Sequence, residues 1–502
     1  MCYLLLAVFL VSLILLSYCY LTWNFNYWKN QGVRSAPNTI PGFGNTLSVL
    51  TLKENLSTVC NRLYKSCLPE TSMIGMYFMR TPLLVVRDPD LIRNVLVKDF
   101  KSFKNNALRL HDDYDPFMKK NPFFDRDESW KDSRSHLVRN MSQKKLKIYQ
   151  SILDQVSSDF IEYLNQERRQ STAEDMELKD LFLRVTGEIV ASTSLGIKGH
   201  SFESDHDLNN FHSTLLQLSQ PSFLSGLTQM LRLNLPNIAD IFHISLLPRK
   251  MSEFLQNIIE EVVRCRAEHN IVGEDFLQMV INDVKVCDPQ TIADRVGAYF
   301  FDSFETSASI AAFACNQLSN HPDIQEKLRQ EIKIVLKNCD SENLTYEALK
   351  DMVFLDQVIS ETIRLHPILG ITIRDCTEDV TLHGSDGQKC VIKVGHLVCI
   401  PVDSLHRDQK YWEDPEKFNP DRFNEENKKK IVKFAYLPFS EGPRACAGKN
   451  YGTMIVKNII VKMLMKYRIL PSKKMSKPLE YNQMNFLTEA KDGLWVKVER
   501  II

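Results

Sequence analysis

Phe439-Ser440-Glu441-Gly442-Pro443-Arg444-Ala445-Cys446-Ala447-Gly448 sets one cysteine in a loop with two glycines and an arginine, directly before a helical pattern over 448–466. Glycine lets backbone N–H groups come close to a sulfur, because no Cβ stands in the way. A helix N-terminus and the Arg444 cation both favour an anion, so Cys446 is expected to be a thiolate. Such a thiolate is a nucleophile or a metal ligand. A nucleophile needs a histidine base beside it, and the sequence assigns none to this loop. A single axial thiolate to haem iron is the better fit.

The other eleven cysteines have no comparable setting. None forms a CxxC pair, no His/Cys cluster has zinc-finger spacing, and 12 in 502 residues is too sparse for a disulfide-stapled scaffold. Reduced thiols in the cytosol are expected, most of them small buried hydrophobes. Apolar residues make up 44% and charged residues 25%, enough for a large core. Lys plus Arg and Asp plus Glu are both 62. That balance argues against a polycation that coats nucleic acid, and against an acidic disordered chain.

Before the cysteine loop the chain is mainly helical. Helical spacing covers 148–167, 178–195, 251–270 and 291–318. Short β-like runs stand at 72–79 and 83–86, followed by a helical pattern over 89–97. A second β-like region runs over 371–400, where Gly384 and Gly387 mark a hairpin. The reading is a mainly α protein with a small β portion, without internal repeats. Residues 1–23 contain no charge and are long enough to cross a hydrocarbon core about 30 Å thick. The run is too long for a signal-peptide core and has no basic residue before it. Lys29 and Arg34 follow it, and Tyr20, Trp23, Tyr27 and Trp28 read as an interfacial aromatic belt. The positive-inside rule then puts the rest of the chain in the cytosol, leaving the sequons at Asn55, Asn140 and Asn343 unused. The expected division is an anchor over 1–28, a Pro/Gly hinge over 29–45 and one catalytic body over 46–502.

The cysteine loop resembles the haem-binding signature FxxGxRxCxG of the cytochrome P450 superfamily, matching every fixed position. Four further segments resemble that family in the correct order: Trp130-x-x-x-Arg134, the 302–307 string Asp-Ser-Phe-Glu-Thr-Ser, Glu361-x-x-Arg364 and Phe418-Asn-Pro-Asp-Arg422-Phe423. ExxR alone says little, since it recurs at Glu261, Glu326 and Glu441. Its place in an apolar helix about 80 residues before the cysteine selects Glu361. The forms ETIRLHP, FETS and FNPDRF are most similar to insect detoxification or endobiotic enzymes.

The resemblance implies a cytochrome P450 fold and a haem b cofactor with Cys446 as axial ligand. Arg134, Arg374 and Arg444 match positions that meet the propionates, Trp130 is the cofactor-side partner of Arg134 in the WxxxR segment, and Phe439 and Gly448 complete the loop. Glu361, Arg364 and Arg422 would form a buried charge network serving folding rather than chemistry. Glu305 and Thr306 match the acid and alcohol that supply protons and orient water during oxygen activation. Asp302 and Ser303 depart from the small residues expected there and face the oxygen or substrate pocket. The implied reaction is insertion of one oxygen atom into a lipophilic small molecule. NADPH would act indirectly, through NADPH–cytochrome P450 reductase with cytochrome b5 as a second candidate donor. Lys428, Lys429, Lys430, Lys433 and Lys449, with Lys131, Lys144 and Lys145, would form the docking face. The implied location is the endoplasmic reticulum membrane. Two rivals stay open: an enzyme that rearranges a peroxide without a reductase, and a catalytically silent haem-binding membrane protein.

Overall fold

The computed structural model describes residues 2–501 except 119, 171–174, 204–211, 213–215, 217–222, 284–288, 340–342 and 484. The chain divides into two units, each assembled from separate stretches. The smaller comprises Met1–Ala107, Leu369–Pro415 and Ile431–Ala445; the larger comprises Leu108–Ile368, Glu416–Lys430 and Cys446–Ile502.

The smaller unit is built on a five-stranded sheet. Its strands are β1 (Met73–Phe78), β2 (Thr81–Val86), β3 (Asn105–Asn106), β5 (Thr372–Asp375) and β8 (Leu397–Ile400), in the order β1-β2-β8-β5-β3. β2 and β8 run parallel, with Leu83 opposite Leu397. Apart from Thr81, both are apolar throughout because both faces are covered. The pleat sends Leu84, Val86, Val398 and Ile400 into a cluster with Leu91, Ile92 and Phe103. Their neighbours Leu83, Val85 and Cys399 point the other way, onto Val59, Cys60 and Leu63. β3 pairs with β5 at the edge, Asn106 opposite Arg374. The expected hairpin is present as β6 (Val380–His383) and β7 (Lys389–Ile392). The helix expected over 89–97 is split into Pro89–Arg93 and a π-helical turn over Asn94–Lys98, closed by the Asp99 N–H on the Asn94 carbonyl at 2.7 Å.

The helix Cys2–Thr22 opens this unit. Its stretch Tyr3–Thr22 has a mean hydropathy of 2.6 and is unburied, so its length and composition suffice to cross a membrane. The aromatic belt needs correcting. Tyr20 and Trp23 are exposed, but Trp28 is wholly buried and donates its ring N–H to the Met76 carbonyl at 2.8 Å. A Cβ on Gly75 would lie 2.2 Å from the Trp28 ring. Tyr27 donates its hydroxyl to Val391 at 2.7 Å. Tyr27 and Trp28 therefore bolt the segment to the sheets instead of marking an interface.

In the larger unit a 32-residue helix, Pro289–Asn320, packs against the helices Leu178–Val190 and Lys449–Lys466. Every residue of Leu178–Val190 except Asp180 is buried, as expected for a helix covered on nearly all sides. Ala308, Ala311, Ala312 and Ala314 keep the long helix thin enough for close neighbours. The expected pattern at 148–167 falls within Gln143–Gln170, and that at 251–270 matches Arg249–His269, which stops one residue earlier at the left-handed Asn270. β4 (Asp175–Glu177), β9 (Tyr467–Pro471) and β10 (Trp495–Arg500) make a small sheet in the order β4-β10-β9. Asn140, one of the sequon residues, is fully buried and accepts the Tyr149 hydroxyl at 2.6 Å.

Candidate active site

The first half of the cysteine loop belongs to the smaller unit. The His406 imidazole accepts the Leu437 N–H at 2.8 Å and fixes where the loop begins. Half-buried Phe439 and Ser440 (φ 58°) lead to Gly442 at φ 78°. A Cβ on Gly442 would stand 2.1 Å from the Leu96 carbonyl oxygen, so this glycine is needed for close approach to the π turn. Arg444 is buried. It donates its Nε–H to the Lys104 carbonyl at 2.8 Å and Nη2 to Asn105 Oδ1 at 3.2 Å. Asn105 lies on β3, whose next residue pairs with Arg374. Two guanidinium groups thus meet at one short ladder. Arg374 is 2% exposed, and its Nε has no hydrogen-bond partner among the described residues. Burial alone pulls its pKa down to about 10. Leaving a cation desolvated without an anion is costly, so the ladder is suited to an anionic group.

Cys446 begins the next segment of the larger unit, with Gly448 as N-cap of the helix Lys449–Lys466. A Cβ on Gly448 would lie 3.9 Å from Sγ. Burial pushes the Cys446 thiol above the ordinary range, and the Asp302 carboxylate adds to this. The N–H groups of Gly448 and Lys449 and the Arg134 guanidinium oppose it. Two sequence expectations change here. The cation acting on the sulfur is Arg134, whereas Arg444 spends its guanidinium on Lys104 and Asn105. Without a metal the sulfur favours the thiol; coordination to a metal would deprotonate it outright. Arg134 lies 6.0 Å from the centre of the buried Trp130 ring, one turn away on the helix Ser129–Asn140.

The long helix carries Asp302, Ser303, Glu305 and Thr306, the residues expected on the oxygen side. Thr306 donates its hydroxyl to the Asp302 carbonyl at 2.8 Å, and Ser303 does the same to Tyr299 at 2.6 Å. Such i−4 bonds tend to bend a helix. Glu305 is not free: its Oε1 accepts Lys179 Nζ at 2.9 Å, and the same ammonium donates to Glu489 Oε1. All three side chains are largely buried. Burial alone would depress Lys179, but Glu305 and Glu489 outweigh it and hold the ammonium above its ordinary range. Asp302 accepts Asn121 Nδ2 on Oδ1 at 2.9 Å, and burial lifts its pKa to about 6. Lys179, Glu489 and Asn121 carry no sequence signal that could have linked them to this helix.

Glu361, Arg364 and Arg422 are in contact. Arg364 grips Glu361 with two bonds, Nε to Oε2 at 2.7 Å and Nη2 to Oε1 at 2.8 Å, and both side chains are 0% exposed. The Asn419 N–H at 2.8 Å and Arg422 Nε at 3.3 Å complete Glu361 Oε1. Lys428, Lys429, Lys430, Lys433, Lys449, Lys131 and Lys144 are exposed, while Lys145 is half-buried with its ammonium on the Glu274 carbonyl at 2.8 Å.

The donors in each unit fit haem. The larger unit offers one cysteine sulfur at a helix head. The smaller unit offers a buried arginine whose Nε has no hydrogen-bond partner among the described residues. Among the described residues no group of three or more His, Cys, Asp or Glu could hold a bare ion. The cysteine suits a thiolate ligand of haem iron and the arginine an anionic group. The family model described as Cytochrome P450 matches residues 35–496, and the chain belongs to the cytochrome P450 family. It is 31% identical over 495 residues to a protein named probable cytochrome P450 9f2 from Drosophila melanogaster, covering 95% of each chain. It is 29% identical to cytochrome P450 6j1 from Blattella germanica, covering 98% of this chain and 97% of that one. With cytochrome P450 3A14 of Cavia porcellus the identity is 31%, over 98% and 95%. The protein is therefore a haem-thiolate monooxygenase, with insect relatives as the motif forms implied.

Proposed function

We propose that the protein inserts one oxygen atom of O₂ into a lipophilic small molecule: RH + O₂ + NADPH + H⁺ gives ROH + H₂O + NADP⁺. Electrons would come from NADPH–cytochrome P450 reductase, with cytochrome b5 as a second candidate donor. The exposed lysines at 428–430, 433 and 449, with Lys131, Lys144 and Lys145, are the proposed docking face. The stretch Tyr3–Thr22 would anchor the protein in the endoplasmic reticulum membrane, with residues 46–502 acting as the catalytic body in the cytosol.

The observation that carries this reading is the Cys446 sulfur at the head of its helix, under the N–H groups of Gly448 and Lys449. Haem supplies dioxygen binding and O–O cleavage when bound. Cys446 would be its axial ligand, Arg134, Arg374 and Arg444 would meet its propionates, and Trp130 would be the cofactor-side partner of Arg134. Phe439 and Gly448 would close the loop around it. Thr306 spends its hydroxyl proton on the Asp302 carbonyl, so its oxygen lone pairs can orient a water. Glu305 would pass protons to that water, held in position by the Lys179 ammonium it touches.

Purified full-length protein with reductase, NADPH and a lipophilic substrate panel tests this directly. Product should require NADPH and reductase. Turnover with a substrate peroxide alone, and none with NADPH and reductase, would replace the reading with a peroxide-rearranging one. Thr306→Ala should lower product formed per NADPH consumed several-fold while NADPH use continues. Unchanged coupling removes Thr306 from the relay.

A further inference from the structure

Most buried acids in the larger unit are matched by a cation. Asp275 meets Arg266 at 2.8 Å, Asp154 meets Lys462 at 2.6 Å, Glu361 has Arg364, and Glu305 and Glu489 share Lys179. Asp302 on the long helix is an exposed acid in a different setting. Among the described residues its carboxylate has no Lys, Arg or His at ion-pair distance, and only Oδ1 is taken, by Asn121 Nδ2 at 2.9 Å. Asn121 is 0% exposed, and its own Oδ1 is held by the Phe123 N–H at 2.8 Å. The acid is thus aimed by a fixed amide, with Oδ2 left for something else.

Resting on the proposed monooxygenation, we propose that Asp302 is a specificity residue that binds the cationic nitrogen of a lipophilic amine or quaternary ammonium substrate. Three features support this class. A carboxylate held by a single amide gains more from a cation than one already in an ion pair does. Its pKa of about 6 leaves it mostly ionised at neutral pH. Phe123, whose N–H anchors Asn121, belongs to an aromatic group with Phe124 (5.1 Å between ring centres) and Phe486 (6.1 Å). Aromatic faces attract organic cations. Asp302 is one helical turn before Thr306 on the same face, so a substrate held there lies beside the proton-supply groups.

The test is calorimetric titration of the full-length haem-loaded protein with a phenylalkyl trimethylammonium ion and with its neutral tert-butyl isostere. The quaternary nitrogen has no lone pair and cannot ligate iron. Wild type should bind the cation about tenfold or more tighter than the isostere. Asp302→Asn keeps the shape and should erase that preference, leaving isostere affinity within about twofold; Asp302→Glu should restore part of it. No binding of the cation, equal binding of the pair by wild type, or a preference that survives Asp302→Asn overturns the proposal. The reduced carbon monoxide spectrum of each preparation separates two failures. A thiolate-type band with no cation preference overturns this inference alone, and no such band overturns the haem-thiolate reading beneath it.

Discussion

Cys446→Ser is expected to abolish product formation while leaving the fold in place. The two side chains differ by one atom, and serine can accept the same Gly448 and Lys449 N–H groups that bear on the sulfur. Helix-head stability should therefore change by no more than about 1 kcal/mol. The chemistry changes far more. A thiolate pushes electron density into haem iron and promotes O–O cleavage, whereas a serine hydroxyl stays protonated and is a poor, hard ligand. Chromatographic assay for product, alongside thermal unfolding of the same samples, should show no turnover at a nearly unchanged melting temperature. Residual turnover comparable to wild type would remove Cys446 from the centre.

Arg364→Ala is the second large effect, and it falls on stability. The substitution strips Glu361 of its bidentate partner at a position with 0% exposure, leaving only the Asn419 N–H and the partly covered Arg422. Removing one partner of a buried ion pair costs about 3–5 kcal/mol, against a total stability of about 5–15 kcal/mol. Because Asn419 and Arg422 follow Lys417, whose carbonyl Arg364 also reaches at 3.4 Å, the 417–422 segment should loosen with it. Urea unfolding should show a midpoint drop of that size, with reduced yield of haem-loaded protein. A loss below about 1 kcal/mol would mean the network is dispensable, as most exposed pairs are.

The sequence made some features legible because their causes are local. Helical periods fixed Gln143–Gln170 and Pro289–Asn320, since one buried face repeats every turn. Glu361 and Arg364 were readable because i,i+3 spacing puts them side by side. The strands β1 and β2 followed from apolar runs bounded by turns. Other features depend on distant partners. Lys179 reaches Glu305 across 126 residues and Glu489 across 310, and Asn121 reaches Asp302 across 181. No local pattern encodes such pairs. Trp28 read as a membrane-interface residue because it follows an apolar run, yet the missing Cβ of Gly75 makes room for its ring in the core. The two-residue strand β3 is too short for any periodicity, and it is what brings Arg374 and Arg444 to one ladder.

The most direct measurement is the carbon monoxide difference spectrum of the reduced full-length protein, purified with its haem. Ligation by Cys446 gives the long-wavelength Soret band of a thiolate-bound iron, and Cys446→Ser removes it. A short-wavelength band in the wild-type protein, as a neutral nitrogen ligand gives, or a long-wavelength band that persists in Cys446→Ser, would contradict the assignment.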